Sequence, residues 1–248
     1  MQSNVKDLAV VVTGAASGIG RATTLAFAKG GANVFAVDLN QDGLDETVRL
    51  AGGNVVTCAA DLSNADNCAP VIEKAVAALG RLDALCNIAG VLKIEPLEEV
   101  TPQTWDLIYA VNIRAPFFLT KAAMPYLIET EGAVVNISSA TAFRGYAYLA
   151  AYTSSKAAVA QLTRALTAEF IKTGVRINAI APGAVNTPMS QPGQFSDKID
   201  YDLLIRSMGI RPGVGPEHYA DTILYLASRD NTIMRGACIN IDDGFAAT

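Results

Sequence analysis

The sequence predicts an α/β protein built on a single doubly wound parallel sheet of about seven strands, with helices on both faces. Three observations point there. Short apolar runs alternate with longer helical patterns along the chain, the first run opens directly into a glycine-rich turn, and no linker, repeat or low-complexity tract divides the 248 residues. A chain of this length commonly fills one α/β domain, and 51% hydrophobic residues supply a large core. One domain over residues 1–248 is therefore expected.

The apolar runs are "LAVVVT" (8–13), "ANVFAV" (32–37), "VVTCAA" (55–60), "LDALCNIAG" (82–90), "GAVVNIS" (132–138), "VRINAIAP" (175–182) and "ACINID" (237–242). They read as strands apolar on both faces, the mark of a parallel sheet covered on each side. In such sheets ligands bind beyond the carboxyl ends of the strands, so function is sought just after each run. The least regular part, Pro188 to Gly215, reads as a lid inserted over that edge.

The first strand ends in "TGAASGIGRA", with glycines at 14, 18 and 20. They let the backbone turn tightly and approach a ligand, and the helix that follows begins with unpaired amides that favour a phosphate. The spacing is G-x-x-x-G-x-G and not the generic G-x-G-x-x-G. The second strand ends in Asp38, placed to accept both hydroxyls of an adenosine ribose and to repel a 2′-phosphate. Neither Leu39 nor Asn40 adds a cation, and Ser17 is neutral, so NAD is expected over NADP.

Charge and composition exclude other classes. The formal net charge is −5 and no stretch concentrates Lys or Arg, so a nucleic-acid partner is not expected. A single histidine, His218, and four cysteines without a C-x-x-C pair argue against a metal site, and the cysteines read as buried thiols of a reducing compartment. Asp7 and the turn at Gly14 make the first apolar run a strand and not a signal peptide. No apolar run reaches the ~18 residues that span a bilayer. Pro182, Pro188 and Pro192 break the uncharged stretch from Ile177 to Ser196. A cytoplasmic protein acting on a small molecule is expected.

The stretch "AYTSSKAA" (151–158) places Tyr152 and Lys156 four apart, on one face of a helix. A phenol titrates near 10, and a cation about 4 Å away at an effective dielectric near 20 would lower that by about three units. The pair is therefore a candidate acid/base device. Taken alone it also reads as a surface lysine beside a half-buried tyrosine.

Together, "TGAASGIG" (13–20), Asp61-Leu62, "NIAG" (87–90), Asn112, Ser139, "YTSSK" (152–156) and "PGAVNTP" (182–188) resemble the short-chain dehydrogenase/reductase family in its compact form of roughly 250 residues. The resemblance runs from about Lys6 to Gly244, and the 13 residues separating Ser139 from Tyr152 match its pattern. It implies a Rossmann fold, NAD as cofactor, and a secondary alcohol or ketone as substrate. Tyr152 would transfer the proton, favoured by Lys156 and an oxidised nicotinamide. Ser139 would orient the substrate oxygen, Lys156 would hold the nicotinamide ribose, and Asn112 would complete the catalytic set through a water. Its interior helical position also suggests a kink. The resemblance assigns cofactor contacts to Gly14, Ser17, Gly18, Ile19, Gly20, Asp38, Asp61, Leu62, Asn87, Ala89, Gly90, Pro182, Gly183, Val185 and Thr187, beside Tyr152 and Lys156. Ile88 departs from the family's second asparagine, leaving a local sheet-stabilising hydrogen bond to be accounted for. Relatives assemble as tetramers through two long helices beginning near Thr104 and Tyr152 and through the last strand, so a homotetramer is expected. Two alternatives are an NADPH-dependent ketoreductase, which Asp38 opposes, and a nonenzymatic NAD-binding regulator, which would not need Tyr152 and Lys156. The apolar lid residues Met189, Phe195, Tyr201, Leu203, Leu204 and Met208 are candidates for the substrate pocket or for packing within the lid.

Overall fold

A computed structural model describes residues 3–190, 195–205 and 211–247. The strands are β1 (Ala9–Thr13), β2 (Asn33–Asp38), β3 (Val55–Ala59), β4 (Ala84–Asn87), β5 (Ala133–Ile137), β6 (Arg176–Pro182) and β7 (Cys238–Ile241). They form one 7-stranded sheet in the order β3-β2-β1-β4-β5-β6-β7, with every neighbouring pair parallel. The order reverses between β1 and β4, and a crevice opens there at the carboxyl ends. All seven apolar runs of the sequence become strands.

The helices are α1 (Gly18–Lys29), α2 (Gln41–Ala51), α3 (Cys68–Leu79), α4 (Pro102–Tyr109), α5 (Ala115–Thr130), α6 (Ala150–Glu169), α7 (Tyr201–Ile205) and α8 (Glu217–Ala227). Strand alternation sorts the core into two layers. Val10, Val12, Val34 and Ala36 pack with Phe27 of α1, Leu44 of α2 and Ile223 of α8. Val11, Phe35 and Val37 face the other way, onto Ile72 of α3, Leu119 of α5 and Leu166 of α6. Burying each such side chain stabilises the fold by about 1.5–3 kcal/mol.

Two expectations are corrected. Only the central strands β1, β4, β5 and β6 are buried along their whole length; β3 and β7 each have a neighbour on one side and keep partly open positions. For the same reason Cys58 on β3 and Cys238 on β7 are not fully buried, while Cys68 and Cys86 are. His218 is exposed on α8, beside Glu217.

Two buried charges fasten the amino edge of the sheet. Asp83, at the entry to β4, accepts from the Ala9 amide of β1 (2.9 Å) and from Arg81 Nε and Nη2 (2.9 and 2.7 Å). Arg176, the first residue of β6, donates through Nη1 to the carbonyls of Ser228, Asn231 and Leu226 (2.6, 3.1 and 3.4 Å). Its Nη2 reaches the Glu131 carbonyl (3.4 Å). Burial, together with Arg235 and Arg229, lowers its pKa.

Between α4 and α5 the helix widens into a π-turn, Ala110–Arg114, centred on Asn112. This is the local distortion expected for a polar residue in a helix interior, and such bulges are frequent at functional sites. Among the described residues no helix is long and apolar enough to cross a membrane, and no cluster of His, Cys, Asp and Glu is suited to hold a metal.

The described parts of residues 188–215, the segment expected to form a lid, are fastened at several points. The Ser196 hydroxyl donates to Glu99 (2.9 Å), and Lys198 reaches Glu98 and Glu99 (3.3 and 3.5 Å). The Asp200 amide donates to the Tyr148 phenol (2.9 Å). Where the chain returns, Val214 bridges Val185 in parallel and the Asn186 side chain donates to the Gly213 carbonyl (2.6 Å). Met208 lies outside the described residues.

Candidate active site

One cavity of about 900 Å³ lies at the carboxyl edge of the sheet, and residues from most of the sequence motifs line it. Its nucleotide end is built from the turn after β1. Gly14 has φ +71°, and a Cβ there would approach the Ala89 backbone to 2.9 Å; a Cβ at Gly20 would collide with the Gly14 carbonyl. These two glycines let strand, turn and helix close on one another. Ser17 stands at the N-cap position of α1 without a side-chain capping bond, and the first turn contains no carboxylate, so the free amides and dipole favour an anion.

At the end of β2 the Asp38 carboxylate is held from both sides. Its Oδ2 accepts from the Ala16 amide (3.1 Å) and its Oδ1 from the Asn40 amide (3.0 Å). The cation nearest in sequence to the turn, Arg21, is committed elsewhere, donating to the Ala16 and Gly43 carbonyls and to the Thr47 hydroxyl. Around Asp38 the lining continues with Leu39, Asp61, Leu62 and Ser63, none of them cationic. Asp61 is fixed by the Ser63 amide (2.8 Å).

The floor of the cavity follows β4. The Thr13 hydroxyl accepts from the amides of Ile88 and Ala89, both at 3.0 Å. Ile88 therefore leaves no gap where the family carries asparagine: its amide is satisfied and its side chain joins the core. Ala89 and Gly90 line the cavity, but Asn87 does not. Its amide nitrogen points into the protein, to Asn136 (2.9 Å) and Thr120 (3.3 Å). Strand alternation turns Asn87 away from the ligand side, so its contribution is to anchor β4 to β5.

Another part of the cavity gathers residues that follow β5 or lie on α6. Ser139 follows β5, and its Oγ accepts from the Thr141 amide (3.2 Å), leaving the hydroxyl proton free to point elsewhere. Ser138 instead donates to the Lys156 carbonyl (2.8 Å) and ties α6 to the sheet. Tyr152 and Lys156 share a face of α6, with the Lys156 Nζ 5.8 Å from the Tyr152 ring centroid. Nζ donates to the Ile137 carbonyl (2.9 Å).

Here the sequence expectation for the phenol is reversed. Burial raises the Tyr152 pKa, and the hydrogen bond from Ser139 offsets part of this. Burial also lowers Lys156, to about 8.

Asn112 is buried and does not line the cavity. Its Oδ1 accepts from the Val91 amide (2.8 Å), and its Nδ2 donates to the Val91 carbonyl and the Ser155 hydroxyl (both 3.0 Å). A Cβ on Gly90 would lie 3.3 Å from Asn112 Oδ1 and 3.5 Å from Lys156 Nζ. Asn112 is thus a positioning residue that holds the loop after β4 against α6. Of the remaining assigned residues, Gly18, Ile19, Pro182, Gly183, Val185 and Thr187 all line the cavity. Met189 and Leu204 line it too, whereas Phe195 and Tyr201 meet edge to face at 6.4 Å and Leu203 is exposed. Sequence reasoning did not find Val91, Leu107, Leu149, Arg211 or Phe245. Apolar periodicity alone does not distinguish a cavity wall from core.

A nucleotide cradle and a serine, tyrosine and lysine at one cavity define the class, and the comparisons agree. A family model described as short chain dehydrogenase matches residues 8–196, so the chain belongs to that family, oxidoreductases whose fold binds a nicotinamide dinucleotide. It is 37% identical to the 3-oxoacyl-[acyl-carrier-protein] reductase FabG of Thermotoga maritima, over 94% of this chain and 96% of the relative. It is 33% identical to the (3R)-3-hydroxyacyl-CoA dehydrogenase of Homo sapiens, over 98% of this chain and 97% of that one. Among solved structures, a short chain dehydrogenase from Mycobacterium paratuberculosis bound to NAD superposes with a TM-score of 0.89 at 31% identity, covering 99% of this chain and 100% of the other.

Proposed function

We propose that the protein is a NAD-dependent oxidoreductase that interconverts a secondary alcohol and a ketone. The observation that carries this reading is that Ser139, Tyr152 and Lys156 line the same cavity as the glycine turn and Asp38. The lining fits NAD. The turn from Gly14 to Gly20 would hold the pyrophosphate, and Asp38 would accept from the ribose hydroxyls while its charge opposes a 2′-phosphate. Asp61 and Leu62 would flank the adenine. Ala89, Gly90, Pro182, Gly183, Val185 and Thr187 would border the remainder, with Lys156 on the second ribose.

A nicotinamide dinucleotide, when bound, would supply or accept the hydride. Tyr152 gives its proton to the ketone oxygen in reduction and takes it back in oxidation. The single proton of the Ser139 hydroxyl is donated either to the substrate oxygen or to the Tyr152 oxygen, which keeps the two in register. Lys156, beside the ring, favours the phenolate whenever it is charged. Asn112 keeps the 91 loop and α6 at fixed spacing.

A second reading, an NADPH-dependent ketoreductase, is favoured by the 37% identity to a 3-oxoacyl reductase. Asp38 and the committed Arg21 oppose it. The proposal extends to a cytoplasmic homotetramer, supported by four free cysteines and by the exposed apolar residues Trp105, Phe117 and Ile128 on α4 and α5.

The test is a panel of secondary alcohols assayed by NADH absorbance, with NADP in parallel and Tyr152→Phe as control. Turnover with NAD that vanishes in the variant supports the reading. Preference for NADP, or activity that survives the substitution, overturns it.

A further inference from the structure

Besides the glycine turn and Tyr152, the cavity is bordered by Val91, Ile94, Leu107, Leu149, Met189 and Leu204. The cations that line it, among the described residues, are Lys156 and Arg211. Lys156 donates to the Ile137 carbonyl and stands 5.8 Å from the Tyr152 ring centroid, as the proton-transfer reading requires. Arg211 is exposed and its Nε meets Asp243 Oδ2 at 2.8 Å. The apolar part of the wall offers little to a phosphate or carboxylate, and desolvating such a group there would be costly.

The wall is completed by Phe245, from the segment after β7. That segment is held in a definite turn. Asp243 and Gly244 both have positive φ (+50° and +80°), and the Asp242 carboxylate accepts from the Gly244 and Ala246 amides (3.1 and 3.0 Å). Asp242 rests on Gly183, where a Cβ would come within 2.8 Å of its carbonyl oxygen. The Phe245 ring stacks on Tyr146 (centroids 5.5 Å, planes 22° apart), and Arg144 Nη1 donates to the Phe245 carbonyl (3.2 Å). The ring is therefore presented to the cavity by contacts from three segments, and an aromatic wall of this kind contacts an apolar body well.

Resting on the oxidoreductase reading, we infer that the substrate is an uncharged secondary alcohol or ketone whose oxygen is carried on an apolar ring or alkyl body, and that Phe245 is a specificity-determining residue that contacts that body. Acyl thioesters, whose polar amide-bearing arm would lie along this wall, are the disfavoured class.

The experiment uses the full chain with NAD and compares propan-2-ol, cyclohexanol, 4-methylcyclohexanol and 3-hydroxybutyryl-CoA. Wild type is expected to show kcat/KM rising at least tenfold from propan-2-ol to the cyclic alcohols, with the thioester below them. In Phe245→Ala the ratio of cyclohexanol to propan-2-ol is expected to fall about tenfold, carried in KM, with an intermediate loss in Phe245→Leu. The Kd for NADH, read by fluorescence titration, stays within twofold and also reports that each variant is folded. A thioester preferred over the cyclic alcohols overturns the inference but leaves the oxidoreductase reading standing. An equal loss on all alcohols in Phe245→Leu also overturns it. Absence of turnover with every compound and either nucleotide overturns both.

Discussion

Lys156 Nζ donates to the Ile137 carbonyl across 2.9 Å, which places a buried ammonium at the end of β5 with no ion pair to a carboxylate among the described residues. Burial lowers the Lys156 pKa to about 8, against roughly 10.4 in an unfolded chain. Between these values the unfolded state binds the extra proton, so stability rises with pH from about 8 to about 10.4; below 8 the cost of burying the charge is fully present. The cost is on the order of 3 kcal/mol. Lys156→Met removes it and forfeits one hydrogen bond worth about 1 kcal/mol. The variant should be inactive yet melt about 4–8 °C higher at pH 7, with the difference shrinking toward pH 10. Thermal unfolding of both proteins across that range checks this; a variant less stable at pH 7 would refute the assignment.

Tyr152 titrates above the ordinary phenol value because it is buried. At pH 6–8 it is almost wholly protonated, ready as an acid and scarce as a base. Ketone reduction should then be flat over that range, while alcohol oxidation climbs up to tenfold per unit and more slowly above about 8, where Lys156 loses its charge. Tyr152→Phe should cost about 10²–10⁴ in kcat in both directions. Initial rates against pH in each direction distinguish this from a base that titrates near neutrality.

Asp38 is held by two amides and has no cation beside it in the cavity lining. Replacing it together with its neighbour, Asp38→Ser with Leu39→Arg, removes the repulsion and supplies a partner for a 2′-phosphate. The ratio of kcat/KM for NAD over NADP should fall at least a hundredfold. A ratio unchanged by the double substitution would show that this end of the cavity does not hold the adenosine ribose.

Asn112→Ala leaves the Val91 amide and carbonyl without their side-chain partner and removes the donor to the Ser155 hydroxyl, which keeps its own bond to the Tyr152 carbonyl. The expected destabilisation is about 2–3 kcal/mol, seen as a melting temperature lower by about 4–10 °C. Because the same contacts hold the cavity wall, kcat should fall more than the affinity for NADH. Asn112→Asp, which can still accept from the Val91 amide but turns a buried carboxylate oxygen on the Val91 carbonyl and cannot donate to Ser155, should be destabilised at least as much.

Much of the fold was readable because buried parallel strands leave unbroken apolar runs, and each run from "LAVVVT" to "ACINID" is a strand. The site was readable where chemistry depends on local spacing: Gly14 with Gly20, Tyr152 with Lys156, the polar Asn112 at a helical bulge. What depends on direction or depth was not. Whether Asn87 faces ligand or core is decided by strand parity, and it faces Asn136. The sign of the Tyr152 shift depends on burial, which a four-residue spacing does not report. Phe245 reaches the cavity only through the turn at Asp243 and Gly244, more than ninety residues along the chain from the tyrosine whose pocket it borders.

The fastenings at Asp83 and Arg176 lie where strands begin, while Thr13, Asp38, Ser139 and Pro182 stand at or just past the points where strands finish. Rigidity and chemistry therefore occupy opposite rims of one slab. Exchanges that retune what the protein acts upon can accumulate along the upper rim without loosening the lower one, so this architecture tolerates changes of specificity that would unravel a scaffold whose anchors and reactive groups were intermingled.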